Sequence, residues 1–254
     1  MSRRPDIDLL RLARERTTEY AAAAPFPHAV FDGLFDPAQL ERVADEFPAL
    51  DDPRWTTYQG AAEGGKQEAS DSEDWGPAVR ELISELSSPS WVRFVEELTG
   101  RDELVADPHG GGMHQNGPGA RLDVHVDFNR HPELPLERLV NVIVYLNPSW
   151  TDQDGGTLEL WTETERVRSI QPLFNRCVVL SASQRSFHGH PVPVAEGIDP
   201  ATGETRRRRS IALYYYGRSG EDLPERHTTI WLSSVAPGRL ERLKRWLRAR
   251  TRAR

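Results

Sequence analysis

Cysteine is almost missing from this chain of 254 residues: Cys177 stands alone. An internal disulfide is therefore excluded, and the usage fits a reducing compartment. Cys177 opens the apolar run Cys177–Leu180, the setting of a buried structural thiol rather than a reactive one. Long apolar stretches are missing too. None approaches the roughly 20 residues a membrane span requires, and the charged amino terminus has no apolar segment behind it, so no secretory signal is visible. Positive charge is not in excess. A formal net charge of −7 argues against a general nucleic-acid binder. Internal repeats and low-complexity tracts are absent. The simplest location these absences leave is the cytoplasm.

What is present suffices for a core. A chain of this length buries about three quarters of its unfolded surface, so neither disulfides nor a structural metal is needed for stability. Residues 1–104 read as largely helical support. Asp36-Pro37 opens a helix from Ala38 to Phe47, with Leu40, Val43, Ala44 and Phe47 at helical spacing behind an N-cap and a proline. Ala78 to Leu86 and Ser90 to Leu98 repeat the pattern, the second stopped by Gly100. Asp51 to Gly76 is polar and rich in glycine and acid. It reads as a long mobile loop, either a substrate lid or a plain surface excursion.

From Leu104 the character changes. Short β-type runs stand at Arg121–Val126, Leu139–Leu146, Thr157–Trp161, Cys177–Ser181 and Ser210–Tyr216, each bounded by turn residues. Strands at this spacing without intervening helices suggest a sandwich or jelly roll over residues 105–235. The expected whole is one domain, 1–254, mainly β with amino-terminal helices and a basic helix at 236–254. Leu240, Leu243 and Leu247 share a face of that last helix, which suits packing on the barrel better than contact with membrane or nucleic acid.

Successive side chains on a strand alternate faces, so in Leu122–Phe128 the side chains of His125 and Asp127 point the same way. An imidazole and a carboxylate two apart can reach one metal ion. Alone, the triplet proves little. Downstream, His188 in Ser186–Val192 offers a third ligand from a distant segment, and two histidines plus one carboxylate leave three metal positions open, as in non-haem Fe(II) oxygenases. Two of these accept a bidentate 2-oxo acid and one accepts O2. The far carboxylate of that acid needs an anchor. In Arg206–Tyr216, Arg208 and Ser210 share one strand face, a guanidinium fork beside a hydroxyl. Arg206 and Arg207 read as a solvated turn. His190, two residues beyond His188, is a competing ligand; His109, His114 and His131 are pocket-lining or structural; His28 and His227 carry no chemical signal.

Six ordered blocks now become specific: His125–Asn129, Arg138–Asn141, Tyr145–Trp150, Gly155–Trp161, Phe187–Pro191 and Arg208–Ser210. Together they resemble the prolyl-4-hydroxylase-like branch of the Fe(II)/2-oxoglutarate-dependent oxygenase superfamily, from about Asp107 to Tyr216. The segment Pro25–Asp32 and the helix after Asp36 are similar to its amino-terminal portion. The resemblance implies a double-stranded β-helix (cupin-like jelly roll) fold, with Fe(II), 2-oxoglutarate and O2 as cofactors and co-substrate. It implies His125, Asp127 and His188 as metal ligands, Arg208 with Ser210 and Tyr145 on the 2-oxoglutarate carboxylate, and Gln115 near the cofactor. The insertion Ala195–Thr205, read as a hairpin or loop, leaves Arg209 as the alternative to Arg208. The implied reaction is hydroxylation of an unactivated C–H bond with release of succinate and CO2, since halogenating relatives have a small residue where Asp127 stands. A small metabolite or biosynthetic intermediate is the expected substrate. The alternatives are a peptidyl or protein residue hydroxylase and a non-catalytic cupin-like metal-binding sensor; a nucleic-acid substrate is opposed by the acidity.

Overall fold

The computed structural model describes residues 4, 6–220 and 222–235. Helices start where the chain supplies caps. Asp8 accepts from the Arg11 N–H and opens α1 (Leu9–Ala22), Asp36 accepts from Ala38 and opens α2 (Pro37–Asp45), and Ser88 accepts from Trp91 and opens α4 (Pro89–Thr99). The third helix, α3 (Pro77–Leu86), has no such cap of its own. Glu46, just past α2, caps it instead, accepting from the N–H groups of Ala78 and Val79 at 2.8 Å each. Gly100 ends α4 in the left-handed region, φ +64°, as the sequence leads one to expect. The helices' apolar stripes, among them Leu40, Val43, Leu82, Leu86, Trp91 and Phe94, pack into one core against the outer face of a sheet, on Val142, Val144, Ile211, Leu213 and Tyr215.

The strands are β1 (His28–Asp32), β2 (Thr56–Gln59), β3 (Glu63–Ala69), β4 (Val105–Val126), β5 (Glu137–Tyr145), β6 (Leu158–Trp161), β7 (Arg166–Ile170), β8 (Arg176–Ser181), β9 (Phe187–His190), β10 (Arg208–Gly217) and β11 (Ile230–Trp231). All pair antiparallel, in the order β1-β8-β5-β10-β4-β9-β6-β7. β3 and β11 also pair with β4, and β2 with β3. The long strand β4 joins the two halves of the roll. Its first part, from Val105 to Asn116, pairs with β10, and its last part, around Leu122 and His125, with β9. Held straight, its 22 residues would span about 70 Å. The strand bends, and Gly112 shows why glycine is needed: φ is +85°, and a Cβ would sit 2.7 Å from the Trp75 ring and 2.8 Å from the Ala69 carbonyl oxygen. A second core fills the roll, made by Phe26, Tyr145, Leu158, Leu160, Ile170, Val178 and Leu180. The expected jelly-roll core is therefore present.

The largest correction concerns residues 51–76. They form a hairpin, β2–β3, that extends the main sheet alongside β4, followed by a short 3-10 turn at Ser72–Asp74. The glycines and acids hid the strands because the chain is held at its ends by buried indoles. Trp55 donates to the Ala49 carbonyl at 2.9 Å and Trp75 to the Ala69 carbonyl at 2.8 Å. Arg206 and Arg207 are also not a solvated turn: both are half-buried, Arg206 pairing with Asp154 at 2.9 Å and Arg207 with Glu204 at 2.5 Å. Ala195–Thr205 is a loop closed by an Ile198–Thr205 bridge. Cys177 is fully buried, and burial pushes its thiol far above the usual range. Among the described residues no helix is long and apolar enough to cross a membrane. The expected basic helix at 236–254 lies outside the described residues.

Candidate metal and cosubstrate site

His125 on β4 and His188 on β9 are directly opposed across the ladder, with ring centroids 4.7 Å apart. Asp127, two residues along from His125, turns to the same face. Its Oδ1 lies 3.4 Å from Nε2 of His125, and its Oδ2 3.4 Å from Nε2 of His188. One potential ligand atom from each residue falls within 4.8 Å of the others. Both imidazoles are oriented from behind. Nδ1 of His125 meets the Asp123 carbonyl at 2.8 Å, and Nδ1 of His188 meets the Ser186 carbonyl at 2.9 Å. With Nδ1 donating, the Nε2 lone pairs are left free toward a common point, which is how ligating histidines are held. Burial pushes His188 down to about 4, against the pull of Asp127, so its ring is neutral at pH 7.

The carboxylate is fixed just as firmly. Arg138 Nη2 lies 3.0 Å from Asp127 Oδ2, Asn141 donates to the same oxygen at 2.8 Å, and Arg138 donates from Nε to Asn141 at 2.7 Å. Burial acts to raise the Asp127 carboxyl, but Arg138 and the two histidines outweigh it and hold it well below the usual range. The guanidinium of Arg138 lies 3.3 Å over the Tyr214 ring.

Beyond the three residues the interior of the roll opens into a pocket. Arg208 lines it and is buried. Its Nε donates to the Gly156 carbonyl at 2.6 Å and its Nη2 to the Tyr145 hydroxyl at 3.0 Å. Both partners are neutral, and among the described residues no carboxylate pairs with it. Burial raises Tyr145, which therefore keeps its proton as a donor. Ser210 lines the same pocket. Arg209 turns to the other face of the sheet, where it donates to the Ala44 carbonyl at 3.1 Å.

The structure brings His125, Asp127 and His188 together, and Arg208 with Ser210 and Tyr145. Gln115 goes the other way. It is buried against Gln67, 2.9 Å from its Nε2, on the face opposite the pocket, while its neighbours His114 and Asn116 line the pocket. Alternation makes that slip of one residue decisive. His190 lines the pocket but stands outside the three-residue group. His131 pairs with Asp107 at 3.2 Å, and His109 lines a second cleft. His28 bonds its own neighbourhood through Phe26. Sequence reasoning gave no role to Arg138, Asn141, Lys66 or Trp231. The signal for the first pair was available: an arginine and an asparagine inside the apolar strand Arg138–Tyr145 must be paired or functional once buried.

The second cleft lies beside His125 and Asp127. The hairpin forms one wall through Tyr58, Glu63, Lys66 and Glu68, and Thr229 and Trp231 form another. The Trp231 ring also lies beside His125, centroids 5.2 Å apart and planes tilted by 49°.

A curled antiparallel roll carrying two histidines and a carboxylate on one inner face has the layout of a non-haem iron oxygenase. The comparisons agree. Residues 111–216 match the model of the 2OG-Fe(II) oxygenase superfamily. Over 88 residues the chain is 33% identical to mouse (Mus musculus) prolyl 3-hydroxylase OGFOD1, a match covering 32% of this chain and 15% of that protein. The fold is similar to a Pseudomonas putida prolyl-4-hydroxylase, with TM-score 0.57 and 17% identity over 82% of this chain and 100% of that one. It is also similar to a Trichoplax adhaerens prolyl hydroxylase in complex with a hypoxia inducible factor peptide fragment, with TM-score 0.55 and 18% identity over 82% and 90% of the two chains. Residues 111–216 thus resemble the 2OG-Fe(II) oxygenase superfamily, and the solved prolyl hydroxylases share the fold.

Proposed function

We propose that this chain is a single-domain Fe(II)- and 2-oxoglutarate-dependent dioxygenase that hydroxylates a residue presented by a peptide or protein segment. His125, Asp127 and His188 are read as the metal ligands, and Arg208, Ser210 and Tyr145 as the anchor of the 2-oxoglutarate carboxylate. One observation carries the cosubstrate half of this reading. Arg208 is a buried cation without an anionic partner among the described residues, which is costly unless a ligand supplies the negative charge. That same anchor disfavours a metal-binding sensor, which would need none.

Bound there, Fe(II) with 2-oxoglutarate and O2 supplies the oxidising chemistry, yielding hydroxylated product, succinate and CO2. The chain supplies the rest. His125 and His188 present their Nε2 atoms; Arg138 and Asn141 keep Asp127 charged and oriented; Tyr145 donates toward the carboxylate at Arg208; the apolar walls at Ile143 and Leu158 exclude water. The cleft beside His125 and Asp127, with exposed Ser70 and His109 on its rim, leaves room for a polypeptide segment to approach the site. Prolyl hydroxylases among the relatives and neighbours favour the same reading.

An anaerobic titration with Fe(II) and 2-oxoglutarate should give a weak visible metal-to-ligand band. Succinate release should then be stimulated by members of a proline-containing peptide panel more than by pooled metabolites. Stimulation by metabolites alone would move the substrate back to a small molecule. His125→Ala and Asp127→Ala should each abolish succinate release.

A further inference from the structure

We propose that Lys66, on the β2–β3 hairpin, is a second cationic anchor for 2-oxoglutarate, acting with Asn116 opposite Arg208. This rests on the reading of the Arg208 pocket given above. The ladder register carries the argument. Lys66 on β3 and Arg208 on β10 both pair with Asn116 on β4, one from each side. With neighbouring strands about 4.8 Å apart, the two cations start about 10 Å from each other with the amide between them. All three line the same pocket. The next row along, Glu68, His114 and Ser210, repeats the arrangement.

Three buried polar atoms in this pocket have no hydrogen-bond partner: Nε2 of His114, Oδ1 of Asn116 and Nδ1 of His190. Unmade hydrogen bonds at buried groups are costly, so their convergence on one space describes a site built for a polar ligand. Lys66 lines that space as well as the neighbouring cleft. His114 is pushed down to about 4 by burial, and Lys66 and Arg208 both add to the effect. Two cations flanking an amide whose ends can be exchanged without change of shape suit a dianion better than a monoanion. Lys66 is at present tied to Glu68, 3.2 Å away, and lies 4.8 Å from the Tyr58 ring centroid.

That ion pair sets the alternative: Lys66 could serve only to brace the hairpin. Titration of 2-oxoglutarate into the anaerobic Fe(II) protein, read by the visible band without any prime substrate, separates the two. Lys66→Met is expected to weaken 2-oxoglutarate binding about tenfold, and Lys66→Arg to recover most of it. Glu68→Gln is expected to leave binding unchanged or tighten it, since it frees the ammonium. Equal weakening by Lys66→Met and Glu68→Gln, or no weakening by Lys66→Met, overturns the inference while the oxygenase reading survives. A wild-type protein that gives no band sinks both.

Discussion

Arg138 and Asp127 form a buried ion pair, Nη2 to Oδ2 3.0 Å, behind the face that Asp127 shares with the two histidines. Breaking such a pair from one side leaves the other charge stranded. Arg138→Met should therefore cost the metal-free protein about 3–5 kcal/mol, measured by urea unfolding. Arg138→Lys should recover part of this through its charge, without the donor to Asn141. A loss under about 1 kcal/mol for Arg138→Met would mean the pair is solvated and the site looser than described.

Arg208 and Arg209 are adjacent in sequence and opposite in space, which separates their effects. Arg208→Ala should weaken 2-oxoglutarate binding by about 1.5–3 kcal/mol, the loss of a charge-assisted contact, read by titration of the visible band. Arg209→Ala should leave that affinity unchanged and lower thermal stability instead, because it removes a buried contact to Ala44. Reversal of the two outcomes would shift the anchor to Arg209.

The buried imidazoles give the metal-free protein an acid-sensitive stability. His114 falls to about 4 in the folded state, through burial, and His190 lies well below its ordinary value for the same first reason. The unfolded imidazole titrates near 6.5. Since the folded value is depressed, the unfolded state binds protons first as pH falls. The stabilisation is complete above about pH 6.5 and is lost progressively toward pH 4. Urea midpoints of chelator-treated protein should decline over that window, and His114→Leu should flatten the slope. An unchanged slope would place the titration elsewhere.

Glu46 caps a helix to which it does not belong. Glu46→Ala removes both acceptors from the start of α3 and should destabilise the protein by about 1 kcal/mol, seen as a lowered melting temperature. Cosubstrate affinity should not change, since α3 packs on the outer face of the sheet.

Much of this was readable before any coordinates. The period of two in Leu122–Phe128 put His125 and Asp127 on one face, and the same rule parted Arg208 from Arg209. Gln115, placed by resemblance alone, faces away because the phase of β4 is reset between it and His125: the register shifts between Gly64 and Lys66 on β3 and again between Leu122 and His125 against β9. The hairpin at 51–76 was illegible for a different reason. Its strands carry little apolar patterning of their own, and they form because β4 offers a ladder edge and because Trp55 and Trp75 anchor the ends. Neither cause is local. Arg206 and Arg207 were misread likewise, since their partners Asp154 and Glu204 come from elsewhere in the chain or from across the turn.

β4 also works as a ruler. Asn116, beside Arg208, and His125, opposite His188, lie on one continuous strand, so the spacing between carboxylate anchor and metal ligands is counted in residues of that strand. Adding one residue between them would rotate every later side chain to the reverse face, carrying His125 and Asp127 out of the roll and Val124 and Val126 in. Adding two would restore the facing but lengthen the gap by about 6.6 Å, too far for one small dicarboxylate to bridge.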